Sequence, residues 1–231
     1  LDRVPGVRSA GELMDFKQAL GAAVSAVQRA RPGLSPIEAS LAVDAAALGR
    51  DYLRGAREAA QGSPVFIDKM PVNFLYCGLI RAALPKARIV HLRREPMDAC
   101  LAVFKTLFAQ AYFFSYDQAE LAAYYDRYRR LMAHWHAAMP GAILDVRYED
   151  LVTDTEAQAR RVLDFCGLPW DDAVLRPEDN ARPSTTASAA QVRQPVHADS
   201  IGRWRAVAEG LAPLRAQLAE AGWIDADGNG R

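Results

Sequence analysis

A parallel β-sheet covered by helices on both faces is the architecture this sequence predicts, and three observations predict it. Short apolar runs alternate with longer stretches of helical periodicity, the order that builds βαβ units. The runs are near-continuously apolar, as strands buried on both faces require. Proline, glycine and capping residues punctuate the boundaries between them.

Taken in order, Leu1 to Gly11 reads as an irregular opening that ends in a turn. Glu12 to Ala30 carries Leu13, Phe16, Leu20, Val24 and Val27 at helical spacing and stops at Arg31-Pro32-Gly33. Ser35-Pro36-Ile37-Glu38 is a capping box with proline at the first helical position, opening a helix to about Ala60. Pro64 to Asp68 is a buried strand, followed by a helix over Val72 to Leu84, and Ala87 to Leu92 is a second strand. Pro96 opens another helix, a long aromatic helix covers Asp117 to Met139, and a third strand lies near Ile143 to Val146. Thr153-Asp154-Thr155-Glu156 is a further capping box, and Gly167 with Pro169 ends its helix. A polar stretch from Arg176 to Ser200 precedes a final helix from about Trp204 to Ala221.

Composition narrows the function classes. The 231 residues hold 28 Lys+Arg against 28 Asp+Glu, so no overall field gathers a polyanion and nucleic acid is disfavoured. Cys77, Cys100 and Cys166 are odd in number and widely spaced, which supplies neither a disulfide framework nor a CxxC site and fits buried thiols in a reducing, cytoplasmic setting. No apolar run is long enough to span a membrane, and no signal peptide precedes Leu1. His134 and His136 stand two apart on a predicted helix, face different ways, and cannot share a metal; no metal is expected. Tyr124, Tyr128, Leu131 and Trp135 form a helical stripe that reads as core, and Arg127, Arg129 and Arg130 read as a solvated face.

In open α/β sheets, ligands sit beyond the carboxyl ends of the strands. That rule selects Lys69, the Arg93-Arg94 pair and Tyr148. An arginine at a strand-to-helix turn grips a phosphate in fork geometry, aided by the helix N-terminus; on spacing alone, a salt bridge from Arg94 to Glu95 or Asp98 weighs equally.

The run IVHLRREPMDACLAVF over 89–104 resembles the 3′-phosphate-binding segment of sulfotransferases that use 3′-phosphoadenosine 5′-phosphosulfate (PAPS). There an arginine, Pro/Ala-x-Asp and, eight residues after the arginine, a serine follow a strand. Arg94 matches the arginine, and Ala102 replaces the serine. A hydrogen bond to a charged group is worth ~1.5–3 kcal/mol, so the substitution is expected to weaken nucleotide binding unless another group compensates. The resemblance covers nearly the whole chain and is nearest to bacterial enzymes often fused to TPR repeats, with tyrosylprotein sulfotransferases more distant. Ser9-Ala10-Gly11-Glu12 resembles the segment bearing the latter's catalytic glutamate, and Phe66 to Pro71 the strand bearing their transition-state lysine. Arg147 to Leu151 resembles the segment whose tyrosine contacts the nucleotide. Ser188 to His197 (SAAQVRQPVH) resembles the loop that closes over it, with Gly202-Arg203-Trp204 at its end.

The resemblance implies Glu12, Lys69 and Ser188 as catalytic residues, and Arg94, Tyr148, Gln191, Arg193 and Arg203 as the nucleotide-binding set. It implies PAPS as sulfuryl donor, adenosine 3′,5′-bisphosphate as product, and a hydroxyl acceptor such as a tyrosine or another phenol. The chemistry suits these residue types: a protonated hydroxyl is a poor nucleophile that a carboxylate base activates, and cations stabilise charge on the transferring group and leaving oxygen. Without the family, Glu12 is a first-turn acid favouring the helix dipole, Lys69 a solvated strand cap and Ser188 a loop serine. Sulfotransferases of this kind begin with a strand and a segment near GxPRSGT(S/T) whose amides hold the 5′-phosphosulfate; no such sequence occurs here. The expectation is therefore a single, N-terminally truncated domain over 1–231, of P-loop-NTPase-like three-layer α/β fold with first strand and P-loop absent. The alternative is a non-catalytic sulfotransferase-like module for binding or interaction.

Overall fold

Parallel pairing begins at the chain's first segment. In the computed structural model, which describes residues 1–108, 111–180 and 195–231, β1 (Val7–Gly11) pairs in parallel with β2 (Val65–Asp68), Val7 opposite Val65 and Ser9 opposite Ile67. An irregularity between Ser9 and Gly11 brings Gly11 opposite Asp68. This corrects the sequence reading of Leu1 to Gly11 as irregular. Val-Arg-Ser-Ala-Gly has one strong strand former, and its pairing is with residues far along the chain, so local propensity carries no signal.

The connection from β1 to β2 runs through α1 (Asp15–Ala30), α2 (Pro36–Leu41) and α3 (Ala45–Ala60). The Ser35–Glu38 capping box forms as expected, with the Ser35 hydroxyl accepting from Glu38 N and Glu38 accepting from Ser35 N. The helix it opens does not reach Ala60. It stops at Leu41, and Asp44 caps a new helix by accepting from Ala47 N at 3.0 Å. Phe16 and Leu20 of α1 pack with Leu48, Tyr52 and Ala56 of α3, so both helices bury one apolar stripe. After β2, a 3-10 segment (Pro71–Tyr76) leads into α4 (Cys77–Ala83).

β3 (Ile89–Arg93) and β4 (Ile143–Arg147) pair as a second two-stranded sheet. Between them lie α5 (Pro96–Phe104), a 3-10 turn (Phe113–Tyr116) and α6 (Gln118–Ala138). β4 leads through α7 (Tyr148–Thr153) to α8 (Thr155–Cys166), capped by Asp154, which accepts from Ala157 N, and not by Thr153. The final helix is shorter than expected: 3-10 turns cover Arg203–Val207 and Glu209–Leu211 before α9 (Ala212–Glu220). Met97, Leu121, Tyr125, Trp204, Leu214 and Leu218 anchor the second core. The chain divides into two compact units, Leu1–Ile89 with Pro169–Asn180, and Val90–Leu168 with Ala181–Arg231. Cys77 and Cys100 are buried thiols and Cys166 is half-buried, none of them in a disulfide. Among the described residues no helix is long and apolar enough to cross a membrane.

Candidate active site

The two residues expected at the reacting centre meet because their strands do. Lys69 N donates to Gly11 O at 2.8 Å, extending the β1–β2 ladder by one bond. Gly11 has φ +78, a left-handed conformation that glycine adopts without a Cβ penalty. The side chains that follow, Glu12 and Lys69, close an ion pair between Lys69 Nζ and Glu12 Oε1. They are 57 residues apart in sequence. Their side chains remain 38% and 59% exposed, so the pair is open to a substrate.

Asp68 holds this arrangement from behind. Its Oδ1 accepts from Leu13 N at 3.3 Å, while Oδ2 accepts from Tyr52 Oη at 3.1 Å and Asn73 Nδ2 at 3.3 Å. The backbone next to Glu12 is thereby tied to the residue next to Lys69. Burial pushes the Asp68 carboxyl above its ordinary range, opposed by these donors. Burial, reinforced by the Asp68 charge, raises the Tyr52 phenol. Sequence reasoning passed over Asp68; its place as the last strand residue before a lysine was the available signal.

In the other unit, Arg94 and Tyr148 come together at the ends of β3 and β4. The Arg94 guanidinium carbon lies 4.9 Å from the Tyr148 ring centroid, a cation–π arrangement. Arg94 NH2 donates to Ser200 O at 2.6 Å, and Arg94 Nε is buried without a partner among the described residues. The salt bridge to Glu95 or Asp98 that spacing allowed does not form; Asp98 and one oxygen of Glu95 accept from backbone amides instead. Glu95 caps α5 by accepting from Asp98 N at 2.8 Å. Asp98, 1% exposed, accepts from Gly202 N at 2.5 Å and Trp204 N at 3.0 Å, which fixes the segment carrying Arg203. Glu149 Oε1 accepts from Glu95 N at 2.8 Å and joins the start of α7 to the start of α5. Burial raises the Glu95 carboxyl, with the Asp98 and Glu149 charges adding to it. Arg203 is exposed at the start of its 3-10 turn. Ala102, in the expected serine position, lies within α5. Ser188, Gln191 and Arg193 lie outside the described residues.

A third cluster was not anticipated. His91 of β3, Asp145 of β4 and His136 in the last turn of α6 converge, with His91 Nδ1 2.8 Å and His136 Nε2 3.0 Å from Asp145 Oδ1. Arg93 NH1 is 3.5 Å from Asp145 Oδ2. Burial holds the His91 imidazole below its ordinary value, against the pull of Asp145. Burial alone raises the Asp145 carboxyl, but the two histidines outweigh it and leave the group below the usual range. His134 takes no part, as its spacing from His136 requires.

Comparison with known proteins supplies the family. Residues 1–172 match the model of the sulfotransferase family, and the chain belongs to that family. An uncharacterized protein of Aquifex aeolicus is 34% identical over 172 residues, covering 73% of this chain and 23% of the relative. Protein-tyrosine sulfotransferase A of Caenorhabditis elegans is 34% identical over 93 residues, 33% of this chain and 24% of that protein. The omega-hydroxy-beta-dihydromenaquinone-9 sulfotransferase Stf3 of Mycobacterium tuberculosis is 28% identical over 110 residues, 44% and 28% of the two chains. The chain thus spans about a quarter of the length of these curated relatives. The sulfotransferase domain of the Synechococcus PCC 7002 olefin synthase superposes with a TM-score of 0.55 at 19% identity, over 84% of this chain and 74% of that one. The fold is that of sulfotransferase domains, α/β and P-loop-like.

Proposed function

We propose that this chain carries the machinery for moving a sulfuryl group from PAPS to a hydroxyl acceptor, a tyrosine or another phenol being the first candidates. The observation that carries the reading is the Glu12–Lys69 pair, assembled by β1–β2 pairing from distant parts of the sequence. In the proposed reaction the acceptor hydroxyl gives its proton to the Glu12 carboxylate and its oxygen attacks sulfur. The bond from sulfur to the 5′-phosphate oxygen breaks, and adenosine 3′,5′-bisphosphate leaves with the electron pair. Lys69 faces the charge that builds on the transferring group and leaving oxygen, a role shared with Ser188.

Arg94 takes the 3′-phosphate. Its NH2 is committed to Ser200 O, but its Nε is buried and has no partner among the described residues, and an unmade buried hydrogen bond is costly. A phosphate oxygen would satisfy it. Tyr148 packs on Arg94 and is the proposed ring contact for the nucleotide, with Gln191, Arg193 and Arg203 completing the proposed nucleotide-binding set. Ala102 favours a second reading, a non-catalytic binding module, because it removes a phosphate donor expected in the family.

Calorimetry with adenosine 3′,5′-bisphosphate and 5′-AMP tests the assignment. Wild type should prefer the bisphosphate, and Arg94→Ala should shrink that preference by ~1.5–3 kcal/mol. A variant that keeps the full preference would make Arg94 structural only.

A further inference from the structure

We propose that His91, His136 and Asp145 form a binding site for a divalent transition-metal ion of the zinc type. One ligating atom from each of the three residues lies within 4.8 Å of the others. Two imidazoles and one carboxylate are a donor set for zinc, with a fourth position left to water or a small anion. Metal–ligand bonds of ~2.0–2.2 Å at tetrahedral angles place ligand atoms roughly 3.3–3.5 Å apart. The two histidine nitrogens, at 2.8 and 3.0 Å from Asp145 Oδ1, lie within a few tenths of an ångström of that spacing from the carboxylate oxygen.

The supporting structure suits that role. His91 and Asp145 stand on paired strands, and His136 stands on a 21-residue helix, so the ligands sit on rigid elements. The remaining nitrogen of His91, Nε2, hydrogen-bonds the Tyr128 hydroxyl. That contact fixes the ring and, with the proton on Nε2, leaves Nδ1 free to ligate, as outer-shell partners of metal-bound histidines do. The His91 side chain is only 12% exposed, while the cluster opens onto a cavity of about 180 Å³ that Arg93, Arg129 and Trp223 also line. The cavity provides an entry path and room for the fourth ligand.

The chemistry selects the ion class. One carboxylate and no carbonyl cage cannot satisfy calcium or magnesium, which take six or more oxygens. Arg93 and Arg129 repel a bare cation, so binding depends on the imidazole bonds, which zinc, cobalt and nickel make and the hard cations do not. The same guanidiniums favour hydroxide or another anion at the open position. Without an ion, both histidines can donate to Asp145, so the competing reading is a closed hydrogen-bonded network with no metal affinity.

Tag-free protein stripped with chelator should be titrated with Zn²⁺ in a calorimeter and with Co²⁺ by visible absorption. One equivalent should bind, with tetrahedral Co²⁺ bands of nitrogen–oxygen type and no sulfur charge-transfer band. His136→Ala should lower affinity by at least ~100-fold, and Tyr128→Phe, which spares all three ligands, by ~10–100-fold. His134→Ala, two residues away on the same helix, should change nothing. The proposal is overturned if wild type takes up neither ion stoichiometrically, or if His136→Ala and Asp145→Asn bind as wild type does. A sulfur charge-transfer band, which would assign the ion to a cysteine, also overturns it. Should a variant fail to fold, the stoichiometry and Co²⁺ spectrum of wild type decide alone.

Discussion

Removing the Asp98 carboxylate should destabilise the second unit far more than an exposed acidic residue would. Asp98 is 1% exposed, and its two oxygens accept from Gly202 N and Trp204 N. Each backbone bond to a carboxylate is worth ~1.5–3 kcal/mol, and a buried donor left unsatisfied costs ~1–3 kcal/mol. Asp98→Ala orphans both donors, while removing a buried charge returns part of its desolvation cost. The net loss should be about 2–4 kcal/mol, a large fraction of the ~5–15 kcal/mol typical of a domain. Asp98→Asn should not rescue it. The amide keeps the shape but sets an N–H donor against one of the two N–H groups. Urea unfolding followed by tryptophan fluorescence measures this as a lower midpoint at unchanged slope. A loss below ~1 kcal/mol in Asp98→Ala, or full stability in Asp98→Asn, would refute the idea that both acceptor oxygens hold the Gly202–Trp204 segment.

Two further outcomes follow from geometry in the first unit. A Cβ on Gly49 would stand 2.1 Å from Ala83 O, a backbone atom. Gly49→Ala should therefore cost ~1–3 kcal/mol through forced separation of α3 and α4, although propensity alone would favour alanine by ~1 kcal/mol; a stabilised variant would contradict the close approach. Asp68 has a raised carboxyl pKa, chiefly from burial. Its contribution is therefore fully present below the unfolded value of ~3.9 and is lost as pH rises through the higher folded value. The stability of wild type relative to Asp68→Asn should fall across that window and level off above it, and a difference that rises with pH would have the wrong sign.

Elements whose signals are local were legible in the sequence. The strands β2, β3 and β4 fall within a residue or two of the apolar runs that predict them, and the aromatic helix appears as α6 at Gln118–Ala138. β1 was not legible, since its five residues become a strand through pairing with β2. The break at Ala42–Asp44 was legible but masked by the helix-forming residues on either side; Asp44 is an ordinary N-cap. At the site, the strand-end rule selected Lys69, whereas Glu12 and its pairing with Lys69 came only through family resemblance, since no local rule joins residues so far apart. Asp98 was read as a possible partner for Arg94, whereas its burial commits it to two backbone donors more than 100 residues away. His136 was weighed only against its helical neighbour His134, so its meeting with His91 and Asp145, which pairing of β3 with β4 brings about, stayed out of view.

The most direct test of the central claim is sulfuryl transfer by residues 1–231 joined to a strand and GxPRSGT(S/T)-type segment that supplies the 5′-phosphosulfate site, using radiolabelled PAPS and a panel of phenols and tyrosine peptides. Wild type should transfer label. Glu12→Gln should be slower by roughly two decades or more, with its affinity for adenosine 3′,5′-bisphosphate unchanged, since the proposed base does not touch the 3′-phosphate. Transfer by Glu12→Gln at the wild-type rate, or a wild-type protein that binds PAPS yet labels no hydroxyl, would contradict the account.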